Sequence, residues 1–282
     1  MKVLVTGAKG QLGSDVLKRL AKNKIKALGT DIDSLDITDK AAVDSYIKSF
    51  DPDAVIHCAA WTAVDKAQEH PEKCRQINVL GTSYIAGACK EAGAKMIYIS
   101  TDYVFNGKGV KPFQTHDKPD PVNYYGLTKY QGEQEVIKYL SDYFIIRISW
   151  VFGLNGPNFV KTMLNLAQTK NTLSVISDQI GSPTSTYDLA KLISNMVTTN
   201  KFGIYHATNE GFTSWYDFAC AIFKQAGIKI NINPVPSSHF PTIAKRPLNS
   251  RLSKESLDNA GFNRLPSWQN ALARYIDNPK IS

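Results

Sequence analysis

The stretch that decides the fold is Lys2–Gly13, KVLVTGAKGQLG. An apolar run of strand character meets Gly7-Ala8-Lys9-Gly10-Gln11-Leu12-Gly13, and a helical pattern opens at Gln11. Glycines at this position let the chain turn tightly and let its backbone approach a pyrophosphate, which rests on amide N–H groups at the positive end of the helix. Three glycines in a G-x-x-G-x-x-G register are weak evidence alone. Placed between an N-terminal strand and a helix they point to a dinucleotide site. Asp31 lies 18 residues beyond Gly13, at the end of the next apolar run, where a carboxylate accepts hydrogen bonds from an adenosine ribose. That carboxylate disfavours a 2′-phosphate, whereas Lys9 in the glycine loop offsets the repulsion, so NADH and NADPH both stand as expected cofactors.

Outward from this segment the chain alternates. Val3–Thr6, Lys26–Gly29, Ala54–Cys58, Met96–Ser100 and Phe144–Ile148 read as strands; Gln11–Ala21, Lys40–Phe50, Glu72–Ala92 and Tyr124–Leu140 read as helices. Strand alternating with helix predicts an α/β fold, a Rossmann-type doubly wound parallel sheet with helices on both faces. The rhythm weakens after Trp150. Helices are expected near Phe159–Gln168, Tyr187–Val197 and Trp215–Ala226, strands at Ile204–Ala207 and Ile228–Pro236, and two short helices after Ser253 and Ser267. The expected division is a nucleotide-binding domain over residues 1–150 and a smaller, mainly substrate-binding α/β lobe over 151–282, with an approximate boundary that the chain is free to recross.

Composition removes several classes. The 282 residues are 43% hydrophobic and 21% charged, which excludes a disordered, collagenous or coiled-coil chain. The richest apolar runs, Ala54–Val64 and Tyr143–Phe152, are interrupted by His57 and Arg147, so no membrane span is expected. The opening MKVLVTG is too short for a signal-peptide core, and the expected location is the cytoplasm. Four cysteines without a CxxC pair read as reduced thiols. The net charge of +8 is concentrated in residues 1–30 (+6) and 245–282 (+4). Much of the first cluster surrounds one helix end, which reads as a solvated face and not as a nucleic-acid surface.

Two Tyr-x-x-x-Lys pairs occur, Tyr125/Lys129 and Tyr187/Lys191, each on one face of a helix. Tyr125 follows the long loop Asp102–Asn123, and that loop follows the strand ending in Ser100-Thr101-Asp102. Ligands of parallel sheets bind at such strand ends. A free phenol titrates near ~10 and is a poor acid–base group at neutral pH. A neighbouring ammonium lowers that value, so Lys129 is expected to tune Tyr125 while also holding ribose hydroxyls. Thr101 is expected to bond a substrate carbonyl that Tyr125 protonates. Tyr187/Lys191 has no such strand upstream and reads as structural. His57, His206 and the pair Trp215/Phe218 read as satisfied core residues.

These residues together resemble the extended short-chain dehydrogenase/reductase family. TGAKGQLG, HCAAWTAVD, INVLGT, STDYVF and YGLTK follow in the family's order and spacing across nearly the whole chain. AAWTAVDKAQ (59–68), RISWVFG (147–153), NFVKTML (158–164), DQIGSPT (178–184) and RPLNSRL (246–252) are similar to its branch that reduces dTDP-linked keto-sugars. The resemblance implies NAD(P)H-dependent reduction of the C4 carbonyl of dTDP-4-dehydro-L-rhamnose to dTDP-L-rhamnose. It makes Tyr125 the proton donor, Lys129 its partner and Thr101 the tuning hydroxyl. Beside Gly7 and Gly13 of the glycine loop, it places Gly10, Gln11, Leu12, Asp31, Asp36, Ile37, Ala60, Trp61 and Thr62 around the dinucleotide, and Thr101, Asp102 and Trp150 against the dTDP-sugar. Some members hold Mg²⁺ at a homodimer interface through glutamates, for which Asp15 and Asp188 are the nearest positions here. Those acids are shorter and a third ligand is unidentified, so no metal residue is assigned, and Mg²⁺ and a homodimer stay open.

Two alternatives stand beside this. A 4,6-dehydratase or epimerase shares the scaffold, but a dehydratase adds an Asp-Glu pair after the strand-end threonine, where this chain has Asp102-Tyr103. A non-catalytic dinucleotide-binding regulatory protein of the same fold would have no use for the full Thr101, Tyr125 and Lys129 set.

Overall fold

The computed structural model describes residues 1–278. The chain begins β1 (Lys2–Thr6), α1 (Gln11–Lys22), β2 (Lys26–Thr30), α2 (Lys40–Phe50) and β3 (Ala54–His57). Short helices α3 (Val64–Glu69) and α4 (Pro71–Arg75) follow, and a π-helical stretch, Gln76–Gly81, joins α4 to α5 (Thr82–Ala92). Next come β4 (Lys95–Thr101), α6 (Tyr124–Tyr139) and β5 (Tyr143–Ile148). The helix expected over Glu72–Ala92 therefore starts at Pro71 and is wound wider in its middle. Its preceding turn, α3, has too few periodic positions to register in the sequence.

Six parallel strands form the main sheet, with β10 (Gly203–His206) at one edge and β2 at the other in the order β10-β5-β4-β3-β1-β2. The order reverses direction at β1, whose neighbours are β2 and β3. A crevice opens at such a reversal, outside the carboxyl ends of the strands. Central strands are apolar over most of their length because both faces are covered. Val3 and Val5 pack with Leu12, Val16 and Leu20 of α1 on one side, whereas Leu4, Val55 and Met96 pack with α2 and α5 on the other. Leu12, Val16 and Leu20 recur every fourth residue, which is why α1 lies flat on the sheet.

Between β5 and the C-terminus run β6 (Val151–Phe152), α7 (Phe159–Ala167), β7 (Thr172–Ile176), β8 (Ile180–Gly181), β9 (Thr184–Ser185) and α8 (Thr186–Met196). After β10 come β11 (Thr213–Ser214), α9 (Trp215–Gln225), β12 (Asn231–Val235), α10 (Glu255–Asn259) and α11 (Trp268–Ile276). A separate apolar cluster of Phe152, Val160, Phe218, Ile222, Trp268 and Leu272 centres this second lobe. The two lobes are not consecutive halves. Leu189, Ile193 and Met196 of α8 pack in the same cluster as Val3 and Leu20, and β10 pairs with β5 in the main sheet. The chain leaves the main-sheet lobe after Ile148 and returns to it over residues 186–206.

Candidate active site

A cleft of about 1070 Å³ lies at the strand-order reversal and reaches into the second lobe. Its floor at one end is the glycine loop. Gly7 has φ +65°, and a Cβ there would lie 2.6 Å from the Ala59 backbone nitrogen. A Cβ on Gly13 would collide with the Gly7 carbonyl oxygen. Both positions are closed to side chains, which leaves the loop's backbone exposed to the cleft in the way a pyrophosphate needs. Gly7, Gly10, Gln11, Leu12, Gly13, Asp31, Asp36, Ile37, Ala60 and Thr62 all line this region. The residues present therefore fit a dinucleotide.

Trp61 does not line the cleft, contrary to the expectation. Its indole N–H donates to the Ala63 carbonyl at 3.1 Å, Lys73 sits over its ring, and only its backbone is tied inward, through Asn78. Asp36 spends its Oδ1 on the backbone N–H and hydroxyl of Thr38, at 2.9 and 2.7 Å. Gln11 faces the second lobe: its Oε1 accepts from the Gly153 N–H at 2.9 Å and from Asn158.

The opposite end of the cleft is built by β4 and α6. Asn123 caps α6 by accepting from the Gly126 N–H at 2.8 Å, which sets Tyr125 in the first turn and Lys129 one turn on. Thr101, Asp102, Tyr103, Tyr125, Lys129 and Trp150 all line the cleft. The Thr101 hydroxyl faces the Tyr125 phenol and opposes the rise that burial imposes on it. Tyr103 packs edge-on against Tyr125, with ring centroids 5.8 Å apart.

Electrostatics depart from expectation at Lys129. Its Nζ stands 4.1 Å from the centre of the Tyr98 ring, and burial pushes its pKa down from 10.5 to about 7, against the pull of Glu133. Burial likewise lifts the Tyr125 phenol above its ordinary value. The expected lowering of Tyr125 by Lys129 is thus absent: burial dominates both groups, and Lys129 is not among the influences on the phenol. Asp102 is pushed up to about 7 by burial, opposed by hydrogen bonds from Ser250 and Thr101, and its Oδ2 has no hydrogen-bond partner among the described residues.

Behind these groups lies a buried ion pair. Glu133 Oε1 accepts from Ser100 at 2.5 Å and from Arg147 Nε at 2.9 Å, and Oε2 takes Arg147 Nη2 at 2.7 Å. Arg147 Nη1 reaches the Thr115 carbonyl at 3.1 Å, so the pair ties β4, α6 and β5 to the long loop. A second bridge, Arg246 to Asp65 at 2.6 Å, ties the 244–252 segment to α3 beside Tyr103.

Several residues escaped the sequence reading. Trp215, expected in the core, lines the cleft and stacks on Trp150; its i,i+3 spacing with Phe218 conceals that it faces both. Tyr103 and Lys73 also line it, Tyr103 within reach of a reader who extends the STD motif by one residue. His57 is satisfied by Thr6 and Thr82, whereas neither nitrogen of buried His206 has a hydrogen-bond partner among the described residues. Tyr187 is largely exposed, packed between Arg19 and Arg274, and lies outside the cleft.

The acids considered for Mg²⁺ do not fit a cation. Asp15 accepts from Thr186 and pairs with Lys18, Asp188 is held by Arg274 and Asn209, and no group of three His, Cys, Asp or Glu among the described residues could hold a metal.

A family model described as the RmlD substrate binding domain matches residues 1–281. The chain belongs to the RmlD family. Relatives of this RmlD chain include the spore coat polysaccharide biosynthesis protein SpsK of Bacillus subtilis, 41% identical over 98% of this chain and 96% of that protein. The dTDP-4-dehydrorhamnose reductase of Aggregatibacter actinomycetemcomitans is 40% identical over 96% of this chain and 97% of its own length. Among solved structures, the dTDP-4-dehydrorhamnose reductase of Bacillus anthracis in complex with NADP superposes on this RmlD chain with a TM-score of 0.95, at 40% identity and covering 98% of each chain.

Proposed function

We propose that this chain reduces the C4 carbonyl of dTDP-4-dehydro-L-rhamnose to the alcohol of dTDP-L-rhamnose with NADH or NADPH. The observation that carries the reading is the convergence of Thr101, Tyr125 and Lys129 on one cleft that also contains the glycine loop. When bound, the reduced nicotinamide supplies a hydride to the carbonyl carbon. Tyr125 donates its proton to the carbonyl oxygen, and solvent later restores it. Thr101 hydrogen-bonds that oxygen as negative charge develops. Lys129, as the ammonium, offsets the phenolate left on Tyr125 and holds ribose hydroxyls.

Gly7, Gly10, Gln11, Leu12, Gly13, Asp31, Asp36, Ile37, Ala60 and Thr62 are assigned to the dinucleotide, with Tyr125 and Lys129 at its reactive end. Asp102 and Trp150 are assigned to the dTDP-sugar together with Thr101. Asp102 suits a sugar hydroxyl because its free Oδ2 is an acceptor without a donor. Residues 1–150 with β10 and α8 would carry the cofactor, and the rest the substrate. No helix among the described residues is long and apolar enough to cross a membrane, and we place the enzyme in the cytoplasm.

The deciding experiment follows NADH and NADPH oxidation with dTDP-4-dehydro-L-rhamnose and identifies the product. Stoichiometric formation of dTDP-L-rhamnose supports the reading. Cofactor binding without turnover would instead make the chain a non-catalytic binding protein.

A further inference from the structure

The glycine loop and the turn after β2 are joined by an ion pair outside the groups already assigned. Lys9 Nζ lies 2.8 Å from Asp33 Oδ2, and both side chains are exposed, at 71% and 59%. Asp31 is held differently. Its Oδ2 accepts the backbone N–H of Lys9 and its Oδ1 that of Ile32, each at 2.9 Å. Backbone donors fix the Asp31 carboxylate at the cleft wall regardless of what Lys9's side chain does. Lys9, Asp31 and Ile32 line the cleft, whereas Asp33 does not.

One cation therefore sits among two carboxylates at the end of the cleft where an adenosine ribose would lie. A ribose bearing a 2′-hydroxyl adds no charge there. A 2′-phosphate adds nearly two negative charges, and Lys9 is the cation of the glycine loop that could answer them. Asp33 engages that cation in an exposed pair, which costs little to open.

We propose that Asp33 sets the cofactor preference of this enzyme by tethering Lys9. With the pair closed the site favours a 2′-hydroxyl; a 2′-phosphate is bound well only when Lys9 exchanges Asp33 for it. Asp33 is then a specificity-determining residue that touches neither cofactor nor substrate. The inference rests on reading the cleft as a dinucleotide site.

The test is calorimetric titration of the cofactor-free protein at low salt with adenosine 5′-monophosphate and with adenosine 2′,5′-bisphosphate. The proteins are the wild type, Asp33→Asn, Lys9→Ala and the double variant; both positions are exposed, so all four fold. Asp33→Asn is expected to tighten the bisphosphate about two- to fivefold while leaving the monophosphate within about twofold, as an exposed pair allows. The gain is expected to vanish in the Lys9→Ala background, and the NADPH to NADH ratio of kcat/KM to move the same way. An equal gain without Lys9 would mean that Asp33 acts only through its own charge, and the tether would be wrong. Binding of both nucleotides with an unchanged ratio overturns the tether alone; binding of neither removes the dinucleotide reading and the tether with it.

Discussion

The indole of Trp150 lies flat on that of Trp215, with ring centroids 3.6 Å apart and planes 11° from parallel. Trp150 adopts φ +49°, a left-handed conformation that a bulky residue enters at a cost of about 1–3 kcal/mol. Gly181 makes room for it: a Cβ there would lie 2.7 Å from the Trp150 ring. The strained backbone, the missing side chain and the partner ring all serve to hold one aromatic face at the cleft wall. We expect Trp150→Ala to raise KM for the dTDP-sugar more than for NAD(P)H. Steady-state kinetics with each substrate varied in turn decides this, and a larger effect on the cofactor would reassign Trp150.

Tyr125→Phe removes the transferable proton and little else. Turnover should fall by about 10²–10⁴-fold, the usual worth of a positioned acid, while cofactor affinity measured by fluorescence titration changes little. Tyr187→Phe, on an exposed helix face, should keep most of the activity. Equal losses in the two variants would show that the phenol of Tyr125 has no special part in the reaction.

Glu133→Gln leaves the Arg147 guanidinium buried without its counter-ion. Breaking a buried pair in this way costs about 3–5 kcal/mol, which urea denaturation will register as a lower midpoint. Replacing both partners, as Glu133→Leu with Arg147→Met, should recover much of the loss, since the uncompensated charge is gone. If the single variant is as stable as the wild type, the pair does not bind β4, α6 and β5 together as its geometry indicates.

Stability of the cofactor-free protein should depend on pH in two opposed ways. Asp102 is raised from 3.8 to about 7, so the native state binds the extra proton and stability falls as pH rises through that window. Lys129 is lowered from 10.5 to about 7, so there the unfolded state binds the extra proton and stability climbs from about pH 7 toward 10.5. Denaturation midpoints across pH should flatten on the acid side in Asp102→Asn and on the alkaline side in Lys129→Met. A profile identical in wild type and both variants would mean that neither group titrates as its burial requires.

Legibility tracked the range of the interaction. The glycine loop, the Asp31 strand end and the Tyr125/Lys129 helix are local patterns, and Gly7, Gly10, Gly13, Asp31, Tyr125 and Lys129 all line one cleft. Strand and helix positions in the first half follow from short apolar runs and fourfold spacing, both of which survive in one dimension. What could not be read depends on distant pairs: Trp215 reaches Trp150 across 65 residues, Arg246 reaches Asp65 across 181, and Gln11 reaches Asn158 across 147. Trp61 is placed at the dinucleotide by the resemblance and by no local pattern. Its neighbours Ala60 and Thr62 face the cleft, but alternation in an irregular segment says nothing of where the ring goes.

The return of the chain to its own first sheet has a consequence for how this protein is made. β10 pairs with β5 only after residue 203 has left the ribosome, and α8 covers α1 only a few residues earlier. Until then β5 is an open edge with a row of unpaired backbone groups, and the side of α1 against which α8 packs lacks its cover. Synthesis at about 5–20 residues per second keeps that edge exposed for seconds. A fragment ending near Trp150 would keep the edge indefinitely. Such a fragment should aggregate where the full chain folds, so the lobe whose first strand opens the chain is closed only when β10, more than fifty residues past β5, has been made.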